Sequence, residues 1–163
     1  MEIKKKMQDA INTQINKEFY SAYLYLSMAS YFDNMNLKGF SHWMKKQAHE
    51  ELTHGMKFYE HVTDRGGVVV LKPIAQPPVS WKSPEAAFEE VLAHERKVTE
   101  SINQLYALSK SSSDTAAEVA LHWFITEQIE EEAHTSEILA KIKALAKSPS
   151  GLHIIDKELK KRE

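Results

Sequence analysis

The chain has 163 residues, 42% of them hydrophobic, and 21 basic against 23 acidic side chains give a net charge of −2. That length and apolar content suit one compact domain with a sizeable core, and the lack of a basic excess argues against nucleic acid or an anionic membrane as partner. There is no cysteine, which excludes disulfides, thiolate metal sites and thiol catalysis.

Glycine and proline number only five each, which favours long helices over a turn-rich β fold. The N-terminus, MEIKKKMQDA, has no apolar stretch of signal-peptide length. The uncharged run from Phe19 to Phe32 is too short to span a bilayer and reads as a buried helix. The expectation is a soluble cytoplasmic protein, a single domain over 1–163, with helices over about 3–33, 38–65, 84–111, 114–146 and 152–160.

In the first helix, Met7, Ile11, Gln14, Glu18, Ala22, Tyr25 and Phe32 follow a stride of three or four. Asp33-Asn34 and Asn36 mark the turn into the second helix, which carries Phe40, Met44, Glu51, His54, Phe58 and Val62 on one face and stops at Gly66-Gly67. Residues 68–82, VVVLKPIAQPPVSWK, cannot be helical, because Pro73, Pro77 and Pro78 forbid it. Fully extended they reach ~50 Å, more than the ~40 Å length of the second helix. The segment can therefore run the length of a bundle and join parallel helices. Ser83-Pro84 opens the third helix with a serine cap and a first-turn proline, and its stripe is Phe88, Val91, Leu92, Glu95, Val98, Ile102 and Leu105. Asp114 caps the fourth, whose stripe is Ala117, Leu121, Phe124, Gln128, Glu131, Thr135, Ile138, Ile142 and Leu145. A short amphipathic segment with Leu152, Ile155 and Leu159 closes the chain and needs a surface to dock on.

Each long helix thus interrupts an apolar stripe with one acid near its middle: Glu18, Glu51, Glu95 and Glu131. An all-α four-helix bundle with a long crossover between its second and third helices brings these to one level. Any one of them alone is as readily a structural residue; four together, with His54 one turn from Glu51, are not. The nearby cations Lys17, Lys45, Lys46, Lys57, Arg96 and Lys97 all fall off the inner stripes. Unpaired, the four carboxylates cost on the order of a whole domain's stability, ~5–15 kcal/mol, whereas two divalent cations balance them. The donor set, hard oxygens with one imidazole, suits iron or manganese better than structural zinc. Di-metal carboxylate bundles use one Glu from each of two helices and a Glu-x-x-His from each of the others. Here Glu18 and Glu95 match the first pair and Glu51-x-x-His54 the first motif, but Gln128-x-x-Glu131 departs from the second.

The segments NKEFYSAYLYLSMASYFD, HEELTHGMKFYEHVTDRGG, AHERKVT and WFITEQIEEE, at their mutual spacings, make the chain resemble the non-haem ferritins of bacteria and archaea over essentially its whole length. The resemblance implies a ferritin-like bundle with a short fifth helix, self-assembled into a homo-oligomeric cage of twenty-four subunits. It implies a ferroxidase that oxidises Fe(II) with dioxygen or peroxide and stores ferric mineral. Carried over, Glu18, Glu51 and His54 hold one iron, Glu51 bridges, and Glu95 with Glu131 completes the second. Gln128 lies beside the pair, and Glu50, Glu127 and Glu130, with Glu131, resemble a third iron site. Tyr25 matches an electron-donating tyrosine, for which Trp123 is a second candidate, and Glu118 is a candidate for lining an entry channel. No haem is expected, because Leu52 stands where the haem-ligating methionine of bacterioferritins would be. The alternatives are a rubrerythrin-like di-iron peroxidase without storage and a metal-free helical scaffold.

Overall fold

In a computed structural model describing residues 1–162, five helices account for most of the chain. They are α1 (Lys5–Asn34), α2 (Lys38–Asp64), α3 (Pro84–Ser111), α4 (Thr115–Leu145) and α5 (Pro149–Leu159). α1 packs on α2 and α3 on α4, as two antiparallel hairpins with tight connections. The turns use left-handed backbone at Asn36 (φ 58°), Gly66 (φ 70°) and Ser113 (φ 51°), the first two being residue types that tolerate it well. The caps follow the sequence. Ser83 accepts from the Ala86 amide and Asp114 from the Ala117 amide, both at 3.1 Å. No helix among the described residues is long and apolar enough to cross a membrane.

The crossover 65–83 is pinned along α1 by a row of polar side chains four residues apart. Gln8 accepts from the Val68 amide (2.9 Å), and Asn12 both donates to the Val68 carbonyl (3.0 Å) and accepts from the Val70 amide (3.2 Å). Asn16 then donates to the Lys72 carbonyl at 3.2 Å and Ser27 to the Pro78 carbonyl. The strap rises beside α1 and delivers α3 parallel to α2.

Two boundaries differ from expectation. α1 starts at Lys5, because the Ile3 amide is bonded to the Arg65 carbonyl instead (3.2 Å). α5 starts at Pro149 rather than 152, because Ser148 caps it by accepting from the Gly151 amide (3.1 Å); this repeats the Ser-Pro start of α3. Leu145, expected inside, is 43% exposed on the last turn of α4, while Ala146 next to it packs on the core.

α5 docks across the start of α2, which has no capping side chain of its own. The Asp156 carboxylate takes over that role, accepting from the Gly39 (2.7 Å) and Phe40 (3.1 Å) amides, where the helix dipole also favours negative charge. The approach requires glycine: a Cβ on Gly39 would lie 1.6 Å from the Asp156 carbonyl oxygen. Gly39→Ala is therefore expected to displace α5, to cost roughly 2–3 kcal/mol and to lower the thermal midpoint by roughly 5–10 °C. Circular-dichroism melts check this, and an unchanged midpoint would contradict the docking.

The core is divided in two. One cluster holds Phe32, Phe40, Trp43, Met44, Phe88 and Ile142, joined by Ile155 and Leu159 of α5. The other holds Met7, Ile11, Phe58, Val62, Ile102 and Leu121, with Phe58 and Phe124 stacked 3.8 Å apart. Between the two lies a buried layer of charged and amide side chains.

Candidate metal centre

That layer contains Glu18 and Tyr25 from α1, Glu51 and His54 from α2, Glu95 from α3, and Gln128 and Glu131 from α4, none more than 5% exposed. Each side chain is there because its helix turns the same stripe inward above and below it with apolar residues. Ligand atoms of Glu18, Glu51 and His54 all lie within 4.8 Å of one another. His54 Nδ1 is 3.6 Å from Glu51 Oε2, and its Nε2 faces Glu127 Oε1 at 3.8 Å. Glu50 and Glu127 are half-buried at the rim and Glu130 is exposed.

Neutral donors hold three of the four carboxylates, Glu18 and Glu131 by one oxygen and Glu95 by both. Gln14 Nε2 donates to Glu18 Oε1 and Gln47 Nε2 to Glu131 Oε2, both at 2.8 Å. Glu95 receives the Tyr25 hydroxyl on one oxygen and the Gln128 amide, at 3.3 Å, on the other. Glu51 has no donor at all, and Glu18 Oε2 has none. Among the described residues, no Lys or Arg pairs with any of the four. The carboxylate with both oxygens unpartnered is the one expected to bridge two metals. Buried oxygens without partners cost ~1–3 kcal/mol each, more when charged, so these are the atoms a cation would satisfy. The donor set, carboxylate oxygens with one imidazole, fits a divalent metal ion on this structural ground.

The protonation states follow from the same burial. Desolvation pushes Glu18 up to about 7 and Glu131 up to about 8, and it raises Glu51 and Glu95, the negative neighbours adding to the effect on Glu18, Glu51 and Glu131. His54 is lowered to about 4 by burial and by Lys57, so its imidazole is neutral with a lone pair available to a metal. Tyr25, buried beside Glu95, is raised well above the usual phenol range and remains a hydrogen-bond donor. With no cation bound, the cluster holds protons; binding metal must release them.

The structure gathers Glu18, Glu51, His54, Glu95, Gln128, Glu131 and Tyr25 in this layer, with Glu50, Glu127 and Glu130 further out. Trp123 lies edge-on to His54, ring centroids 5.4 Å apart, with the Lys57 ammonium 4.3 Å over its face. Glu118 sits away from the layer, facing Lys110 at 3.6 Å and Tyr106. Gln14 and Gln47 received no role from the sequence reading. Both carry the same local signal, an amide four residues before an inward acid, Glu18 for Gln14 and Glu51 for Gln47; Gln14 does bond Glu18, whereas Gln47 turns to Glu131 on α4.

Comparison with known proteins agrees with this arrangement. A profile of the ferritin-like domain family matches residues 8–145. The chain is 39% identical to the bacterial non-haem ferritin of Bacteroides fragilis over 160 residues, covering 98% of this chain and 99% of that one. Against its counterpart in Staphylococcus saprophyticus the identity is 34%, over 98% and 96% of the two chains. An open-pore ferritin from the hyperthermophilic archaeon Archaeoglobus fulgidus superposes with a TM-score of 0.98 at 48% identity, covering 99% of both chains. Matching fold, matching length and a buried carboxylate–imidazole cluster at mid-bundle converge: the chain belongs to the ferritin family, in its bacterial and archaeal non-haem branch.

Proposed function

We propose that the chain is the subunit of a cytoplasmic iron-storage cage that oxidises Fe(II) with dioxygen at the mid-bundle centre and retains the ferric product as mineral. The observation carrying this reading is the Glu18–Glu51–His54 group, buried between two apolar cores with carboxylate oxygens that no protein donor satisfies. Iron is the substrate. Glu18 and His54 hold one ferrous ion, Glu95 and Glu131 the other, and Glu51 spans both. Each ion gives up one electron to the oxidant. Gln128, already aimed at Glu95, orients a water or oxygen species beside the pair. Tyr25, hydrogen-bonded to Glu95, is placed to supply a further electron. Glu50, Glu127 and Glu130, with Glu131, form a third, outer iron site; Glu127 is raised by burial and by Glu130 and Glu50, the mutual repulsion a cation would relieve.

A cage of about twenty-four subunits is supported by apolar surface that a lone subunit leaves wet. Val68, Val70, Leu71 and Val79 on the crossover are each more than half exposed, as is Tyr23 on α1, a pattern that marks contact surfaces.

Light scattering after size exclusion tests storage and assembly together. Anaerobic Fe(II) is expected to bind at about two or three per subunit, and added oxygen to load far more iron into a large particle. Stoichiometric iron only, held by a small oligomer that reduces peroxide robustly, would overturn storage in favour of a rubrerythrin-like peroxidase.

A further inference from the structure

The outer acidic group already has a cation beside it, supplied by the far end of the chain. Past the end of α5, the Arg162 guanidinium pairs with Glu50 and sits over the Trp43 ring, its central carbon 4.7 Å from the ring centroid. The Arg162 carbonyl meets His42 Nε2 at 2.7 Å, so backbone and side chain are both held against α2. The side chain is only 22% exposed, and its charge reaches Glu131 as well. This contact joins residues 112 positions apart. α5 sets it up, because the Asp156–Gly39 clamp fixes that helix across the start of α2.

We propose that Arg162 is a tethered competitor for the third metal site: it holds Glu50 while the outer site lacks metal, and a metal ion arriving there releases it together with the last turn of the chain. The inference rests on reading Glu50, Glu127 and Glu130 as that site. Glu50 Oε2 cannot accept from Arg162 Nη2 and bind a metal at the same time. Glu18, Glu51 and His54 have no such competitor. Arg162 therefore sets the order of filling: inner ions bind first, and the outer one binds only after breaking a stacked, partly desolvated ion pair. The third site is thereby tuned to a weaker and more exchangeable hold, as suits an ion passing through.

The test uses Zn(II), a redox-inert stand-in of the same charge, on the assembled metal-free protein and its Arg162→Gln variant. Calorimetry is expected to show the weakest class of sites tightening by about fivefold or more in the variant, of the order a partly exposed pair allows, while the tighter classes stay within about twofold. The absence of cysteine makes Lys161→Cys, at an exposed position, a unique place for a nitroxide. With Arg162 present, the label should be immobile until the tighter sites are full and become mobile as the last class fills; in the Arg162→Gln background it should be mobile throughout. Equal third-ion affinity in both proteins, or a label that stays immobile at saturation, overturns the competition and leaves the site intact. Failure of either protein to bind a third ion overturns the outer site itself, and the competition with it.

Discussion

Glu51→Gln is expected to abolish rapid iron oxidation while making the metal-free protein more stable. Glu51 is the only one of the four carboxylates whose oxygens both lack partners, which leaves one oxygen for each of two cations. An amide of the same shape offers one weak ligand atom and no charge. Loss of groups that merely orient ligands costs ~10–100-fold in such centres, so loss of the bridge should slow Fe(II) oxidation by at least ~100-fold in stopped-flow measurements. Stability should move the other way. Burial and the charges of Glu95 and Glu18 raise Glu51 well above the ordinary carboxylate range, which means that its ionised form opposes folding. Glutamine removes that penalty, and its amide can donate to the unpartnered Glu18 Oε2. A gain of about 1–2 kcal/mol, as found when buried charges are replaced by neutral groups of similar shape, would raise the midpoint by roughly 2–8 °C. Near-normal oxidation by this variant would move the chemistry away from the mid-bundle layer. A lowered metal-free midpoint would mean that Glu51 is structural.

Much of this was legible in the sequence because one helix face carries two messages at once. Apolar residues at strides of three and four fix which side of α1–α4 is buried, and any charge on that stripe is then buried too. Glu18, Glu51, Glu95 and Glu131 stand out on those stripes, and all four lie between the two core clusters. Ser83 and Asp114 act as caps because their side chains satisfy amides three residues on, a purely local geometry. The same Ser-Pro code stands at Ser148-Pro149, where proline in a first turn loses nothing, so the earlier start of α5 is also written locally. What stayed hidden were contacts between distant parts of the chain. Nothing near Gln8, Asn12 and Asn16 shows that the crossover will lie on them. Nothing near Gly39 announces the Asp156 carbonyl, and nothing near Arg162 announces Glu50. Periodicity tells which face is inside; it does not tell which far segment will meet it.

Stability of the metal-free protein is expected to fall as pH rises from about 6.5 to 8, and bound metal to reverse that slope. In the unfolded chain the carboxyls titrate near their ordinary 4.5, whereas folding raises Glu18 to about 7 and Glu131 to about 8. Between those limits the folded state holds protons that the unfolded state has given up, so raising the pH favours unfolding, by about 1.4 kcal/mol per pH unit for each proton involved. His54 and His94 work oppositely: burial lowers both from 6.5 to about 4, so the unfolded chain binds their protons more tightly and stability rises with pH between those values. Below about 6.5 the two effects oppose each other; above it the unfolded histidines lose their remaining protons within about one pH unit and the carboxyls dominate. With chelator present, calorimetric midpoints should therefore drop by roughly 3–8 °C across pH 6.5–8. Anaerobic Fe(II) is expected to replace the protons of Glu18, Glu51 and Glu131, with an affinity that grows as they leave. Loaded protein should then hold or raise its midpoint over the same range and release protons on loading. A metal-free midpoint that stays flat or climbs from pH 6.5 to 8 would show these carboxyls to be well solvated, and the need for iron at this layer would go with it.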